Sequence, residues 1–179
     1  MIPERTESNI RRICVIGPEC TGKTTLSEAL AKELGTTWVP EYARGYLNKL
    51  NRPYTQADLL KIAHGQLRME DEWQQDANGL LICDTNLLVI QVWSEHKFGS
   101  CDEEIIKHHQ QRSYHHYLLT ETDVPWEEDP QREHPQLREH FAALYSRLVE
   151  SSGVPFTRIR GTAEERLALA LNAVGRLRH

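Results

Sequence analysis

The chain has 179 residues, of which 39% are hydrophobic and 26% are charged, and its formal net charge is −5. This length suits one α/β domain with a buried core, and we expect residues 1–179 to form that single domain. No apolar run approaches the roughly 18–20 residues of a membrane span, and the polar N-terminus lacks a hydrophobic signal region. A cytoplasmic protein without a membrane partner is therefore predicted. A nucleic-acid partner is not expected, because no basic stripe is present to neutralise phosphates.

The four cysteines and nine histidines give no metal or redox motif. The cysteines form no CxxC pair, and Cys14 and Cys83 lie in apolar runs typical of buried positions. The pairs His108–His109 and His115–His116 cannot converge on one ion, since adjacent residues on a helix or a strand point in different directions. These histidines are interpreted as surface residues.

Strand-like apolar runs alternate with segments of helical period, which predicts a five-stranded parallel sheet with helices on both faces. In chain order, strands are expected over residues 12–16, 37–40, 79–84, 114–120 and 154–159. Helices are expected over residues 23–34, 87–97 and 103–111, and from about residues 55, 137 and 162 onward. Capping-box patterns at Thr55 and at Thr162 support two of these helix starts. The polar, proline-rich residues 123–135 are predicted to form a mobile functional loop.

The segment Gly17-Pro18-Glu19-Cys20-Thr21-Gly22-Lys23-Thr24-Thr25 contains a GxxxxGK[ST] phosphate-binding motif between a strand and a helix. Backbone N–H groups of such a loop and the helix N-terminus attract the phosphates of ATP or another nucleoside triphosphate. Lys23 adds a full positive charge, and the Thr24 hydroxyl can enter the coordination shell of Mg²⁺. The motif predicts a P-loop fold that binds a nucleoside triphosphate with magnesium.

Asp84 ends the third predicted strand, at the sheet edge where ligands of parallel sheets gather. A carboxylate there can hold Mg²⁺ directly or through water. The alternative is that Asp84 caps the following helix together with Thr85.

Three strings in this order resemble the ribosylnicotinamide kinase domain of the NadR family. They are Gly17 to Thr25, Glu41-Tyr-Ala-Arg44, and Pro125-Trp126-x-x-Asp129-x-x-Arg132. The resemblance implies transfer of the ATP γ-phosphoryl group to the 5′-hydroxyl of nicotinamide riboside. It also implies the fold of nucleoside and nucleotide kinases, with a lid at residues 123–135 and a helical region that binds the substrate. Only the kinase activity of that family is expected here.

Phosphoryl transfer needs a group that receives the proton of the attacking hydroxyl. Glu41 follows the second strand and is the leading candidate for this base, with Asp84 as the alternative. A purely structural ion pair between Glu41 and Arg44 is the competing interpretation. Arg44 itself is expected to bind the substrate or to brace Glu41.

The lid would bring Arg132 over the triphosphate, where its planar guanidinium suits phosphate. The competing interpretation is an ordinary solvated loop. Candidate substrate-binding residues are Tyr42, Arg44, Gln66, Trp126 and Asp129, in addition to Glu41.

A cationic nicotinamide ring would favour an aromatic platform, for which Trp38, Tyr42, Tyr46 and Trp126 are candidates. Gln66 on the long helix could read a carboxamide edge.

Two alternatives to a nicotinamide riboside kinase remain at this point. One is a kinase for another small hydroxyl or nucleotide substrate. The other is a nucleotide-dependent switch, which needs no acceptor base. The sequence does not predict the acceptor, the preference for ATP over GTP, or the oligomeric state.

Overall fold

A computed structural model describes residues 9–178 of the chain, and five strands within them form one sheet. The order is β2-β3-β1-β4-β5, and each pair of neighbouring strands is parallel. The strands are β1 (Arg11–Ile16), β2 (Trp38–Val39), β3 (Leu80–Asp84), β4 (His116–Thr120) and β5 (Phe156–Ile159). The predicted five-stranded parallel sheet is confirmed.

Seven α-helices connect and follow these strands within the described residues. They are α1 (Lys23–Leu34), α2 (Tyr42–Asn48), α3 (Gln56–Trp73), α4 (Leu87–Phe98), α5 (Glu103–Gln111), α6 (Arg138–Ser151) and α7 (Ala163–Gly175). Both predicted capping boxes are formed, at the start of α3 and at the start of α7. No helix in the described part of the chain combines the length and the apolarity of a membrane span.

The central strands are buried on both faces, which explains why they read as continuous apolar runs. On one face, Ile13 and Ile82 pack against α1 and α7. On the other face, Cys14 and Cys83 pack against α4 and α6. Burial raises the pKa of both thiols well above the ordinary value, so these cysteines are small core residues, as expected.

A separate apolar cluster joins α2, α3, α4 and α5 beside the sheet. Its fully buried residues include Leu59, Ile62 and Ile105. This cluster forms a helical region next to the carboxyl ends of β2 and β3.

The helix α2 was not expected from the sequence, where Glu41 to Arg44 only followed the second strand. It has seven residues, contains Gly45, and lacks a side-chain cap at its first turn. A helix this short is marginal by itself. It is stabilised by tertiary packing, since Tyr42, Tyr46 and Leu47 contact the cluster formed with α3.

The register of the sheet aligns the carboxyl ends of its central strands. Val15 of β1 lies opposite Asp84 of β3, and Ile16 lies opposite Leu119 of β4. The loops after these strands therefore meet at one edge, the usual place for ligands of such sheets.

Candidate active site

The phosphate-binding motif forms a tight loop between β1 and α1. Gly17 has a φ of 153°, and a Cβ at this position would collide with the side chain and carbonyl of Thr120. Gly22 is the N-cap residue of α1 and has a φ of 75°, in the left-handed region that favours glycine. Cys20 adopts the same region with a φ of 55°. The two glycines are therefore required by a close approach and by a positive φ.

Two residues outside the motif, Thr120 and Arg166, hold this loop from behind. The Thr21 hydroxyl donates to the Pro18 carbonyl at 2.8 Å and lies 2.7 Å from the Thr120 hydroxyl. Arg166 of α7 is 5% exposed and donates from Nη1 to the Thr21 carbonyl at 2.7 Å. This guanidinium also binds the Glu121 carbonyl and the Asp123 carboxylate, which links the loop to the start of the lid.

Asp84 and Thr24, the two residues predicted to hold Mg²⁺, meet at the edge of the sheet. The Thr24 hydroxyl donates to Asp84 Oδ2 at 2.6 Å, while Asp84 Oδ1 is buried and has no hydrogen-bond partner among residues 9–178. Burial raises the pKa of Asp84, and the bond from Thr24 and the charge of Lys23 oppose this shift. Hard oxygen ligands with one unsatisfied carboxylate oxygen fit Mg²⁺. The competing interpretation of Asp84 as a helix cap is wrong, because Asn86 caps α4 by accepting from the Leu88 N–H.

Lys23 lies inside the loop, where its Nζ donates to the Pro18 carbonyl at 2.6 Å. Burial lowers the pKa of Lys23, and the nearby carboxylates of Glu41, Asp84 and Glu19 oppose that shift. A buried ammonium among carboxylates is positioned to exchange its carbonyl partner for a phosphate oxygen.

Glu41 occupies the N-cap position of α2, yet its side chain makes no capping hydrogen bond. Within residues 9–178 its carboxylate has no hydrogen bond or ion pair, and it faces the cavity in front of Lys23. Burial raises the pKa of Glu41 to about 7, and the neighbouring charge of Asp84 adds to the shift. A carboxylate with these properties can accept a proton near neutral pH.

Arg44 pairs with the lid instead of with Glu41. Its Nη1 lies 2.9 Å from Asp129 Oδ2, and this pair raises the pKa of Arg44. The Gln131 N–H and, after it, Arg44 lower the pKa of Asp129. Gln131 donates from Nε2 to the Arg44 carbonyl at 3.2 Å and to Asn48 Oδ1 at 2.6 Å. The ion pair between Glu41 and Arg44 is therefore absent among the described contacts, and residues 129–131 dock on α2.

The lid also contacts the phosphate loop directly. Cys20 Sγ accepts from the Glu127 N–H at 3.1 Å, and burial raises the pKa of Glu19 while the nearby backbone N–H groups of His134 and Glu133 oppose this shift. Arg138 bridges the two segments by donating to the carbonyls of Cys20 and Val124, both at 2.7 Å. The lid thus lies over the loop.

Arg132 and Trp126 are placed differently within this lid. Arg132 lines the cavity, and its guanidinium donates to the Glu127 carbonyl. Trp126 does not line the cavity; its ring lies 6.0 Å from the guanidinium carbon of Arg132 and 5.9 Å from that of Arg138. Trp126 therefore braces the two arginines in this structure.

A cavity of about 490 Å³ extends from the phosphate loop toward α2, α4 and α6. Its size suits a small-molecule ligand. Its aromatic and basic residues beyond the loop are Arg44, Arg52, Tyr54, Trp93, His96, Lys97, Arg132, His134, Phe141 and Tyr145.

None of the aromatic residues proposed as a platform lines this cavity. Trp38 packs against the face of α1 and α7, and Tyr46 donates its hydroxyl to Asp58 at 2.9 Å. The Tyr42 ring fills the space beside Gly65 of α3. Gln66 is 2% exposed and accepts from the Tyr42 N–H at 2.8 Å, so it supports the start of α2 from behind.

Two aromatic residues that line the cavity, Trp93 and Tyr54, lacked a sequence signal. Trp93 lies on α4, whose first turns are apolar all round, so its period does not separate cavity-facing from core-facing positions. Tyr54 precedes α3, and Lys97 Nζ lies 3.5 Å from the centroid of its ring. Lys97 also lies 3.6 Å from Glu133 of the lid, so these residues close the far end of the cavity.

The sequence matches the model of a known protein family over most of its length. A family model described as an AAA domain matches residues 12–166. This range contains all five strands except the first residue of β1, and it ends within α7. The chain belongs to this family.

The chain is also similar in sequence to NadR proteins. It is 25% identical over 158 residues to the trifunctional NAD biosynthesis/regulator protein NadR of Escherichia coli strain K12. That alignment covers 84% of this chain but only 38% of the relative's length. The resemblance to NadR drawn from the motifs is thus confirmed over the part that the two chains share.

Solved structures agree on the fold of the AAA domain. A structure of NadR protein in complex with NR superposes with a TM-score of 0.77 at 20% identity, covering 93% of this chain and 50% of that chain. Thymidylate kinase from Ehrlichia chaffeensis superposes with a TM-score of 0.65 at 14% identity, covering 94% and 98%. The predicted P-loop kinase fold is confirmed by these neighbours.

Proposed function

We propose that this AAA domain is a Mg²⁺-dependent kinase that transfers the γ-phosphoryl group of ATP to the 5′-hydroxyl of nicotinamide riboside or a related nucleoside. The observation that carries the proposal is the position of Glu41, whose carboxylate has no ion pair within residues 9–178 and lines, beside the phosphate loop, a cavity of about 490 Å³. A switch protein needs neither this carboxylate nor the part of the cavity that extends beyond the phosphate loop. The similarity to NadR, whose solved structure is described as a complex with NR, supports the nucleoside as acceptor.

The phosphate end of the site would hold the nucleotide. Residues 17–25 offer backbone N–H groups and the N-terminus of α1 to the phosphates, and Lys23 neutralises developing charge on the γ-phosphoryl group. Thr24 and Asp84 would hold Mg²⁺, which supplies charge neutralisation at the phosphate oxygens when bound. Arg132 would contribute a planar guanidinium from the lid.

The acceptor end would perform the proton transfer. Glu41 accepts the proton of the acceptor hydroxyl while the oxygen of that hydroxyl forms a bond to the γ-phosphorus. The bond between the γ-phosphorus and the bridging oxygen breaks, and ADP leaves. Glu41 then releases the proton to solvent as the lid opens. Asp84 is the alternative base, although its Oδ2 is already engaged by Thr24.

A phosphorylated acceptor is the second candidate, because two basic residues lie at the cavity far from the loop. Arg52 and Lys97 both line it. Each has a carboxylate partner, Asp58 at 2.6 Å and Glu133 at 3.6 Å. These pairs reduce the free positive charge, so a neutral or weakly charged nucleoside is favoured over a nucleoside monophosphate.

The test is a product assay with purified chain, Mg²⁺ and ATP against a panel of acceptors, read by mass spectrometry. The panel contains nicotinamide riboside, common nucleosides and their monophosphates. We expect stoichiometric phosphorylation of nicotinamide riboside or another nucleoside. ATP hydrolysis without any phosphorylated acceptor would overturn the proposal in favour of a switch.

Lys23→Ala serves as the control for a true phosphate-loop reaction. It should lose about 10³-fold or more in turnover with the fold intact, because it removes the charge that stabilises the transferring group. Near-normal turnover in this variant would contradict the assignment of the loop. A cytoplasmic location and a single kinase domain over residues 1–179 remain predictions of the sequence.

A further inference from the structure

Two histidines and a glutamate converge on the surface between α3 and α5, away from the phosphate loop. His64 Nε2 lies 2.7 Å from Glu104 Oε1, and His108 Nε2 lies 3.5 Å from the same oxygen. All three donor atoms lie within 4.8 Å of one another. The rings of His64 and His108 meet edge to face with their centroids 5.8 Å apart. The cluster thus brings together one residue of α3 and two of α5.

Both helices hold this arrangement from below. Glu104 and His108 are four residues apart on α5 and therefore share one face of that helix. The Asp102 side chain caps α5 by accepting from the Glu104 N–H at 2.9 Å. Beneath the surface, Ala63 of α3 and Ile105 of α5 belong to the same apolar cluster and are almost fully buried. The backbone that carries the three side chains is thereby fixed.

We propose that His64, Glu104 and His108 bind a divalent transition-metal ion such as Zn²⁺. Imidazole nitrogen and carboxylate oxygen are the ligands that Zn²⁺, Ni²⁺ and Cu²⁺ prefer, whereas Mg²⁺ prefers oxygen ligands only. In a tetrahedral shell, metal bonds of about 2.0–2.2 Å place ligand atoms roughly 3.3–3.6 Å apart. The three side chains are 39–48% exposed and free to adjust by the small rotation this requires. A water molecule would complete a tetrahedral shell.

This site differs from the one formed by Thr24 and Asp84, because it offers imidazole nitrogens and its ion would stabilise the fold instead of taking part in phosphoryl transfer. It ties α3 to α5, whose packing forms the helical region beside the cavity. An ion that binds only the folded chain stabilises it by mass action. Occupancy is therefore expected to raise the thermal stability without any need for nucleotide. The alternative is that the cluster is only an exposed hydrogen-bonded group of the kind that surfaces commonly carry.

The experiment uses the full chain, stripped with a chelator and free of nucleotide. Zn²⁺ is titrated by calorimetry, and the unfolding temperature is measured with and without Zn²⁺. The variants are His64→Ala, His108→Ala and Glu104→Gln, and His140→Ala is the matched control on an exposed histidine of α6. Asp84→Asn reports any Zn²⁺ that binds at the phosphate loop instead.

We expect one Zn²⁺ per chain and a rise in unfolding temperature for the parent, for His140→Ala and for Asp84→Asn. The three ligand variants should bind at least about tenfold more weakly, since even outer partners of a metal site contribute that much. Glu104→Gln is decisive, because without metal it should unfold close to the parent temperature and with Zn²⁺ it should not follow the parent's rise. Equal Zn²⁺ binding in His64→Ala, His108→Ala and the parent would overturn the proposal, as would the absence of any Zn²⁺-dependent shift.

Discussion

Glu41 illustrates how one residue acquires its chemistry from its surroundings. It stands at the junction of β2 and α2, where burial and the charge of Asp84 disfavour its ionised form. Lys23 and Arg44 oppose that shift without forming an ion pair with it. The resulting pKa of about 7 leaves the carboxylate able to accept a proton from a hydroxyl under near-neutral conditions.

Glu41→Gln should lower single-turnover transfer by roughly 10²- to 10⁴-fold while ATP affinity stays nearly unchanged. The substitution removes basicity but keeps the size of the side chain, and ATP binding belongs to residues 17–25. In the parent the rate should rise as the pH increases through about 7, because the base acts in its deprotonated form. The variant should lack this rise. The measurement is single-turnover transfer at saturating ATP and acceptor between pH 5.5 and 8.5.

Asp84→Asn is the matched control for Glu41→Gln, since it also neutralises one buried carboxylate of the site. It should raise the Mg²⁺ concentration needed for activity as well as lower turnover. If Glu41→Gln instead weakens ATP binding and leaves transfer at saturation untouched, Glu41 is structural and Asp84 becomes the better base.

At the scale of elements, the lid reaches the site through contacts with three different segments. Asp129 binds Arg44 of α2, Glu127 binds Cys20 of the loop, and Glu133 lies beside Lys97 of α4. Most of these groups are half-buried or exposed, so each contact contributes little to folding. Weak contacts of this kind are compatible with the proposed opening and closing of the lid during turnover.

Arg132→Lys should lower turnover substantially, because a lysine cannot reproduce the planar fork that binds phosphate oxygens. The free energy of unfolding should hardly change. The measurement is steady-state turnover at saturating ATP with urea unfolding in parallel, and Arg147→Lys on the exposed face of α6 is the control. If Arg132→Lys turns over like the parent, Arg132 does not bind the transferring phosphate, and another arginine would have to do so.

The contact between α2 and α3 sets the position of Glu41, and two glycines allow this contact to be tested. A Cβ on Gly65 of α3 would overlap the ring of Tyr42, whereas a Cβ on Gly45 of α2 meets nothing within 4 Å. Gly65→Ala should cost about 1–3 kcal/mol of stability by overpacking and should also lower turnover, because α2 must shift. Gly45→Ala should be neutral or stabilise by about 0.5–1 kcal/mol. Urea unfolding and turnover of both variants give the comparison, and equal effects would contradict the packing argument.

At the scale of the whole molecule, several buried carboxylates make stability depend on pH. Burial raises the pKa of Glu41, of Asp84 and of Glu70, the last to about 7 although Arg112 and Arg12 oppose the shift. Between the ordinary values and the raised ones, the folded chain binds more protons than the unfolded chain. Stability contributed by these groups is therefore lost as the pH rises toward and through about 7.

Glu70→Gln should flatten this dependence in the nucleotide-free protein, since the amide does not titrate. The free energy of unfolding of the parent should fall more between pH 5 and pH 8 than that of the variant. Urea titrations at several pH values measure the difference, with Glu72→Gln on the exposed face of the same helix as control. Parallel pH profiles for parent and Glu70→Gln would show that Arg112 and Arg12 hold the carboxylate ionised.

The features that the sequence predicted are those encoded within a few neighbouring residues. The strands read as apolar runs because both faces of the sheet are covered, and Thr55 and Thr162 mark helix starts through bonds to residues three positions later. The phosphate loop depends on glycines at fixed spacing, and Asp84 reaches Thr24 because parallel strands end at one edge.

Tertiary structure alone decided what surrounds these motifs. Arg166 supports the loop from 145 residues away, and Gln66 and Tyr42 turn inward to hold α2 instead of lining the cavity. Among the cavity aromatics, Trp93 lies on a helix that is apolar on more than one face and Tyr54 lies just before a helix start, so periodicity does not single them out. Likewise His64 meets Glu104 and His108 only because α3 and α5 pack together. Contacts between distant elements depend on how whole faces pack, and the local pattern of one segment does not contain that information.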